Sequence, residues 1–385
     1  MTNAIPSKLT RASKEKLHVG RPNIGDRDVL MVRLHDLLDR RWLTNAGPFV
    51  MELEQRLAAY LGVQHVIAVC NATIALEIAI KALDLRGEVI VPSFTFVATA
   101  HALQWQGIAP VFCDIDPRTH MIDPEQAEMR ITPQTTAILG VHLWGRTCDV
   151  EGLQQVAERH RLTLLFDAAH AFGCSRREIM VGNFGAAEVF SFHATKFFNT
   201  FEGGAIATND AALARKMRLM TNFGFAGYDE VVSIGTNGKM SEIAAAMGIT
   251  NLESIERFID ANRSNYKLYC AGLSGIPAIR MLEYGSEDRT NYQYIVIEID
   301  NERSAATRDE ILDALWKQDI YARRYFYPGC HRMEPYRSLA PGHQLLLPRT
   351  EELVQRTLVL PTGTAVGEDD IDFICRFLRA AVTGT

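Results

Sequence analysis

The feature that most constrains the fold of this chain is a repeated alternation of short β-branched runs with segments of helical periodicity. Five such runs occupy residues 88–92, 110–115, 137–141, 163–166 and 189–192. Helical periodicity is clearest over residues 48–60, 73–83, 150–160 and 210–220. Buried strands separated by helices are typical of a mostly parallel sheet. The sequence therefore predicts an α/β fold.

The length of the chain predicts two domains. It has 385 residues, 47% of them hydrophobic, and can bury a large core. We expect residues 1–16 to be a flexible polar segment, 17–250 a large domain and 251–385 a smaller C-terminal domain. A long helical pattern over residues 241–273 leads into the smaller domain, which has a strand pattern of its own at 292–299.

Charge, hydropathy and cysteine usage argue against several classes of function. The net charge of −6, from 40 basic and 46 acidic residues, gives no reason to expect nucleic-acid binding. No apolar run is long enough to span a membrane, and the first residues lack the hydrophobic region of a signal peptide. The seven cysteines include no CxxC pair, and no Cys, His or carboxylate cluster has metal-site spacing. These features favour a cytoplasmic enzyme with reduced thiols.

One lysine is placed where its amine can become a nucleophile. Lys196 follows the strand pattern at 189–192 and precedes the glycine pair Gly203-Gly204. Partial desolvation lowers the pKa of an ammonium group, which is how enzymes make lysines attack carbonyl groups or hold pyridoxal phosphate. A single lysine beside glycines is more often a solvated loop residue, so the prediction depends on what accompanies it. We interpret His193, three residues earlier, as a structural histidine.

A carboxylate is predicted at the end of a neighbouring strand. Asp167 directly follows the run at 163–166, and strand ends are where open α/β sheets place their chemistry. An ionised carboxylate needs a partner when it is buried, because burying it unpaired is costly. A protonated pyridine nitrogen would be such a partner. The alternative is that Asp167 is the N-cap of a helix.

A small polar turn at residues 69–73 leads into the helical pattern at 73–83. Such a turn presents backbone N–H groups and a hydroxyl at the positive end of a helix, which together form an anion site. A cofactor phosphate fits this site. An ordinary capped helix has the same pattern, so this segment alone leaves both interpretations open.

With these three segments in this order, the chain resembles the fold-type I enzymes that use pyridoxal 5′-phosphate (PLP), and within them the DegT/DnrJ/EryC1/StrS sugar aminotransferases. The similarity runs from about Leu43 to Gly363 and includes segments 92–99, 141–145 and 235–242. It implies a mostly parallel seven-stranded sheet flanked by helices, with a smaller α+β C-terminal domain. Residues 70–73, 190–196 and 235–247 are most similar to C4 aminotransferases of the desosamine and viosamine type.

The resemblance implies roles for residues around the cofactor. Lys196 would form the Schiff base with PLP and shuttle the proton, and Asp167 would pair with the pyridine nitrogen. His170 would approach the phenolic oxygen, at a position where many family members have glutamine. Phe96 would stack on the ring, although a core phenylalanine would fit the sequence equally well.

The resemblance also implies a phosphate cradle and a homodimer with shared active sites. The family usually has glycine where this chain has Ala72, which narrows backbone freedom but leaves the N–H donors in place. Asn237 matches a residue that reaches the phosphate from the neighbouring subunit. The residues of the cradle would be Ala72, Thr73, Ser191 and Asn237.

For the substrate, residues 321–328 mix cationic and aromatic side chains. Guanidinium groups can bind phosphates in a bidentate manner, so a diphosphate-linked nucleotide sugar fits this segment, as do ordinary surface charges. By resemblance, L-glutamate would donate an amino group to the C4 keto group of a dTDP-4-keto-6-deoxyhexose, giving a dTDP-4-amino-4,6-dideoxyhexose. The candidate substrate-binding residues are Lys239, Arg323, Arg324 and Tyr325.

Four alternatives remain at this point. A C3 aminotransferase acting on a 3-keto nucleotide sugar would share the cofactor motifs. A sugar dehydratase of the same family would have histidine in place of Lys196. A sulfur-mobilising enzyme would depend on Cys330, which we interpret as a loop cysteine without a catalytic role. A non-catalytic binding or regulatory protein with this fold would need no nucleophilic amine.

Overall fold

The computed structural model describes residues 15–339 and 346–384, and its centre is a seven-stranded sheet. The strands are β1 (His65–Val69), β2 (Glu88–Pro92), β3 (Ala109–Cys113), β4 (Thr135–Val141), β5 (Thr163–Asp167), β6 (Glu188–Ser191) and β7 (Gly204–Thr208). Their order is β1-β7-β6-β5-β4-β2-β3, with β7 antiparallel to both of its neighbours and the other pairs parallel. The predicted mostly parallel α/β sheet is confirmed.

The strand patterns indicated five of these seven strands and missed β1 and β7. The sequence of β7, Gly-Ala-Ile-Ala-Thr, is rich in small residues that have low strand propensity. All five of its residues are nevertheless buried, because β7 pairs on both sides with other strands of the sheet. Its place in the sheet is therefore decided by its neighbours rather than by its own side chains.

Helices cover both faces of the sheet. One hydrophobic cluster joins α2 and α8 to alternate residues of β1, such as Val66, and a second joins α3, α4 and α7 to the intervening residues, such as Ile67. The helices are α1 (Arg27–Arg40), α2 (Pro48–Leu61), α3 (Ala72–Ala82), α4 (Ala98–Gln104), α5 (Pro124–Glu128), α6 (Val150–His160), α7 (Ala211–Thr221), α8 (Glu242–Leu252), α9 (Ile255–Leu273), α10 (Arg308–Trp316), α11 (Tyr336–Leu339), α12 (Pro348–Arg356) and α13 (Glu368–Thr383).

The helical pattern at 241–273 forms two helices, α8 and α9, rather than one, because the chain turns at Glu253 and Ser254. Asp149 and Asp210 cap α6 and α7 with their side chains. In the part of the chain that the structure describes, no helix combines the length and hydrophobicity needed to cross a membrane.

The C-terminal part contains a separate antiparallel sheet with the order β8 (Ile279–Met281), β9 (Ile295–Ile299), β10 (Thr357–Leu360). It shares a core with α9, α10 and α13. Leu17 packs in this core because Leu17–His18 pairs with Ile320–Tyr321.

The domain limits at residues 16 and 250 remain a prediction, and residues 1–14 of the expected flexible segment lie outside the described residues. Smaller elements are the paired strands Ser175–Arg176 and Ile179–Met180 and the 3-10 turn Cys330–Arg332.

Candidate active site

The carboxyl ends of β5 and β6 and the start of α3 border a cleft of about 660 Å³. Parallel strands deliver their last residues to the same edge of a sheet, and this is where α/β proteins bind ligands. Segments distant in sequence meet there. The predicted site residues that line the cleft are Ala72, Thr73, Phe96, Asp167, His170, Ser191, Lys196, Arg323 and Tyr325.

Lys196 extends into this cleft from the turn that follows β6. Its backbone N–H donates to the carbonyl of His193 at 2.8 Å, which closes the turn. Burial lowers the pKa of the Lys196 amine to about 8, and the negative charge of Asp167 acts in the opposite direction. The Lys196 Nζ donates to the hydroxyl of Tyr294 at 3.3 Å. Roughly a tenth of this amine is therefore neutral and nucleophilic at pH 7, far more than for an ordinary lysine.

Asp167 is the last residue of β5 and is 6% exposed. Its Oδ2 accepts a hydrogen bond from the Thr99 hydroxyl at 2.8 Å, and its Oδ1 accepts one from the Ala169 N–H at 3.0 Å. Burial raises the pKa of this carboxyl, while those two bonds oppose the rise. Residues 168–174 form turns rather than a helix, so Asp167 is not a helix N-cap. It is a buried acid at the edge of a cleft.

His170 contributes a buried nitrogen that lacks a partner. Its ring packs against the rings of Tyr294, with centroids 4.4 Å apart, and of Trp144, at 5.6 Å. Burial lowers the pKa of His170 well below the usual value, so the ring is neutral. Among the described residues, no group forms a hydrogen bond with its Nδ1. Buried polar atoms are normally satisfied, so this nitrogen points to a partner bound in the cleft.

The first turn of α3 lines the same cleft, and its free N–H groups can bind an anion there. Asn71 caps the helix, with its side chain accepting from the Ile74 N–H at 2.9 Å. The first bond within the helix runs from the Ala75 N–H to the Asn71 carbonyl, so the N–H groups of Ala72 and Thr73 precede the intrahelical ladder. A Cβ atom added at Gly204 would lie 2.8 Å from the Ala72 nitrogen, so a glycine is needed for β7 to approach the helix this closely.

Phe96 lines the same cleft and is 59% exposed, whereas Phe94 is fully buried. The alternative that Phe96 is a core phenylalanine is therefore wrong. An exposed aromatic face beside Asp167 and Lys196 offers a surface on which a planar ring can stack.

The remaining predicted residues divide between the cleft and its surroundings. Arg323 and Tyr325 line the cleft and also a second, adjoining one of about 470 Å³, which contains Arg324. The Arg324 guanidinium donates to Asp309 at 3.0 Å and lies over the ring of Tyr327. Lys239 lies outside the cleft and donates to Asn222 at 3.0 Å.

Asn237 also lies outside the cleft formed by its own chain, in an isolated β-bridge with Asn222. The role of Asn237 in the site of a neighbouring subunit stays a prediction.

Sequence reasoning missed two residues that contact the central groups. Thr99 is one helical turn after Phe96, and its position at the start of α4 could have suggested a hydroxyl near the cleft. Tyr294 comes from the C-terminal sheet region, and no local signal marked it. At the mouth of the cleft, His193 is bonded at both ring nitrogens, to Thr195 at 2.8 Å and Glu202 at 3.3 Å, as expected for a structural histidine.

Cys330 has none of the properties of a catalytic thiolate. It is fully buried at the start of a 3-10 turn, and its Sγ donates to the Thr95 carbonyl at 3.3 Å. Burial raises the pKa of the thiol to about 12. Because this thiol is packed in a core and does not line the cleft, the geometry argues against the sulfur-mobilising alternative.

Comparison with known proteins identifies the family. Residues 26–379 match the model of the DegT/DnrJ/EryC1/StrS aminotransferase family. The chain belongs to this family. It is 36% identical to the dTDP-4-amino-4,6-dideoxy-D-glucose transaminase of Shigella dysenteriae, over 95% of this chain and 99% of that protein. The transaminase of the same name from Escherichia coli is 38% identical, over 94% and 97% of the two chains.

Among solved structures, the crystal structure of DesI in the presence of its TDP-sugar product matches with a TM-score of 0.92 and 48% identity. The match covers 97% of this chain and 95% of that one. The protein is thus an enzyme, an aminotransferase of fold type I. The family membership expected from the three sequence segments is confirmed.

Pyridoxal 5′-phosphate is the cofactor of this aminotransferase, and the cleft fits it. A lysine amine with a lowered pKa can bind the aldehyde, and a buried carboxylate can face the ring nitrogen. The helix N-terminus at Ala72 and Thr73 can bind the phosphate. The unpartnered His170 Nδ1 can form a hydrogen bond with the phenolic oxygen of the cofactor. Each polar feature of PLP thus has a matching group in the chain.

Proposed function

We propose that this aminotransferase transfers an amino group from L-glutamate to the C4 keto group of a dTDP-4-keto-6-deoxyhexose, giving a dTDP-4-amino-4,6-dideoxyhexose. The observation that carries the proposal is the meeting of the Lys196 amine and the Asp167 carboxylate in one cleft. Relatives that cover nearly the whole chain are named as transaminases of this amino sugar, which supports the choice of substrate. The similarity to DesI supports it independently.

Two side chains perform the chemistry in this proposal. When bound, PLP supplies an aldehyde that carries the amino group and a ring that withdraws electrons from the reacting carbon. Asp167 holds a proton at the ring nitrogen, because a cation opposite this buried carboxylate gives it the partner that burial requires. Lys196, once its amine is free, would take the proton from the carbon that bears the amino group and pass it to the carbon through which the cofactor holds that group.

The other residues of the cleft bind and orient. We assign the phosphate to the N–H groups of Ala72 and Thr73 and to the Ser191 hydroxyl, which lies at the end of β6. Phe96 covers one face of the ring. His170 is neutral because burial lowers its pKa, and it forms a hydrogen bond with the phenolic oxygen of the cofactor.

The substrate diphosphate is assigned to Arg323 and Tyr325, because both line the cleft that contains Lys196. Arg324 and Lys239 have polar partners within the chain, Asp309 and Asn222, and we place them in secondary roles. A guanidinium without such a partner is better able to meet a phosphate directly.

A homodimer forms part of the proposal, with Asn237 of each chain completing the phosphate site of the other. The segment around Asn237 supports a dimer because it exposes large apolar side chains of the kind found at protein interfaces. Phe223, Phe225 and Ile234 have 39–77% of their surface exposed. Mixing a Lys196→Ala chain with an Asn237→Ala chain tests it, since only shared sites restore activity in the mixture. A cytoplasmic location is likewise part of the proposal.

The test of the whole proposal is product analysis. Purified protein is incubated with PLP, L-glutamate and a panel of 3-keto and 4-keto dTDP sugars, and NMR locates the new amine. Lys196→Ala is the control that must give no product. We expect amination at C4. Amination of a 3-keto sugar alone would overturn the assignment in favour of the C3 alternative, and replacement of L-glutamate by other amino acids tests the donor.

A further inference from the structure

The Lys196 amine has one protein partner that the proposed function does not use. Its Nζ lies 3.3 Å from the hydroxyl of Tyr294, and Tyr294 is 4% exposed. In the described ranges 15–339 and 346–384, this amine is the one hydrogen-bond partner of that hydroxyl. A buried hydroxyl whose only partner is the reactive amine is placed where it can control the position of that amine.

Tyr294 is held rigidly although it comes from outside the central sheet. It directly precedes β9, and its carbonyl accepts a hydrogen bond from the Tyr284 hydroxyl at 2.8 Å. Its ring packs edge to face against Trp144, at 5.3 Å, and in a tilted orientation against His170, at 4.4 Å. The hydroxyl therefore has a fixed location that does not depend on Lys196.

We propose that Tyr294 is a positioning residue for Lys196, which receives the amine whenever it is not bound to the cofactor and orients it for the next attack or proton transfer. This inference deepens the proposed function and rests on the role given there to Lys196. A flexible lysine side chain loses its rotamer freedom on docking, so a fixed partner reduces the number of unproductive positions.

The phenol suits this role in either charge state of the amine. Burial raises the pKa of Tyr294 well above its usual value, so the hydroxyl keeps its proton. It can accept from an ammonium group and donate to a neutral amine. The bond to the ammonium form is the stronger of the two because it is charge-assisted. Removing the hydroxyl should therefore lower the pKa of Lys196 below its value of about 8.

Several other groups act on the same amine, and the test must leave them unchanged. Asp167 raises the pKa of Lys196, and the neutral ring of His170 lies beside it. Other titratable side chains line the cleft; these are His193, Glu202, Arg323 and Tyr325. Tyr294→Phe removes one oxygen and keeps the ring that packs on Trp144 and His170.

The experiment measures how fast cofactor-free protein captures added PLP as a function of pH, from the absorbance of the bound cofactor. It needs neither sugar nor amino donor, so its failure is distinguishable from failure of the proposed function. For Tyr294→Phe, we expect the plateau rate to fall roughly three- to tenfold, the worth of one hydrogen bond. We also expect the midpoint of the pH profile to move to lower pH.

A purely structural role of Tyr294 predicts a shift of the pH midpoint in the opposite direction. If loss of the hydroxyl merely loosens the cleft, water enters and the midpoint rises toward that of an ordinary lysine. A raised midpoint, or a profile equal to the wild type, would overturn the proposal. Tyr292→Phe is the matched control, since Tyr292 packs on Tyr266 and Tyr284 and does not line the cleft. Tyr294→Leu provides the same two readouts if the phenylalanine variant does not fold.

Discussion

The floor of the cleft is formed by Asp167, His170 and Lys196, and its rim by Arg323 and Tyr325 together with Arg324 of the adjoining cleft. The two regions are built in different ways. The floor residues follow central strands of the sheet, and burial shifts the pKa of each of them. The rim residues follow the short pairing of Ile320–Tyr321 with Leu17–His18, and Arg324 is well exposed. The pKa values of the floor residues are therefore strongly shifted, whereas the exposed charges of Arg323 and Arg324 are screened by water and salt.

This difference separates chemistry from recognition. At the floor, removing a partner leaves a buried charge or amine without compensation, which is expensive. At the rim, an exposed ion pair such as Arg324–Asp309 contributes little to stability. Loss of a rim arginine should therefore change substrate affinity more than the rate of catalysis. We therefore expect substitutions at the floor to lower kcat and substitutions at the rim to raise KM.

The largest effect is expected for Lys196→Ala, which removes the amine that handles the proton. Turnover with L-glutamate should fall by about 10³-fold or more, as for loss of a general base. Stopped-flow measurement of the half-reaction with L-glutamate provides the check. Lys267→Ala, an exposed lysine on α9, is the control. A Lys196→Ala rate within tenfold of the wild type would refute the division between floor and rim.

Asp167→Asn keeps the shape of the side chain and removes its charge. We expect kcat to fall by about 10²-fold, because the ring nitrogen then loses the group that keeps it protonated. Steady-state kinetics of both half-reactions measures the effect. Asp210→Asn is the matched control, since Asp210 is a surface helix cap and asparagine caps equally well. If Asp167→Asn changed KM and left kcat intact, the role assigned to the carboxylate would be wrong.

Arg323→Gln tests the rim. We expect KM for the nucleotide sugar to rise about tenfold with kcat nearly unchanged, which corresponds to roughly 1.4 kcal/mol of binding. Arg324→Gln, whose guanidinium pairs with Asp309, should raise KM only about twofold. Kinetics at low and high salt adds a second measurement, because screening should weaken the effect of both arginines. An equal rise for both variants would mean that the two residues share one role.

The smallest effect is expected for Thr99→Val, which removes the hydrogen bond to Asp167 Oδ2. The pKa of Asp167 is already raised in the folded chain, so the cofactor-free protein loses stability as pH rises from the unfolded pKa through the folded one. The variant should extend this loss to higher pH and slow turnover about threefold. Denaturation of cofactor-free protein across pH measures it.

Thr208→Val is the control for Thr99→Val, because Thr208 is an equally buried threonine that donates to a backbone carbonyl, that of Ala186. It should lower stability by a similar amount at every pH. Matching pH profiles for the two variants would show that Thr99 does not act on the carboxylate.

Much of the floor was predictable because it depends on chain order. Strand ends in a parallel sheet share an edge, so locating Asp167 and Lys196 after two runs already placed them together. Thr99 and Tyr294 were not predictable in the same way. Each is identified by a contact with a residue far away in sequence. The spacing of Thr99 from Phe96 suggests at most a hydroxyl near the cleft, and no neighbour in the chain marks Tyr294.

The rim was less predictable for a physical reason. Adjacent arginines look alike in the sequence, but Arg323 lines the cleft and Arg324 turns to Asp309 on α10. Likewise Phe94 and Phe96 differ by two residues, and only Phe96 is exposed. Which of two similar side chains enters a site depends on the packing of the segment around it.

The sequence by itself determined the α/β architecture and the placement of Asp167 and Lys196 at the ends of neighbouring strands, because strand periodicity and residue order are local properties. Only the tertiary structure decided how reactive those groups are. The lowered pKa of Lys196 and the raised pKa of Asp167 arise from desolvation by segments that lie far apart in the chain, and the same segments bury the unpartnered His170 nitrogen. Desolvation is a property of the assembled surroundings, and no single segment carries it.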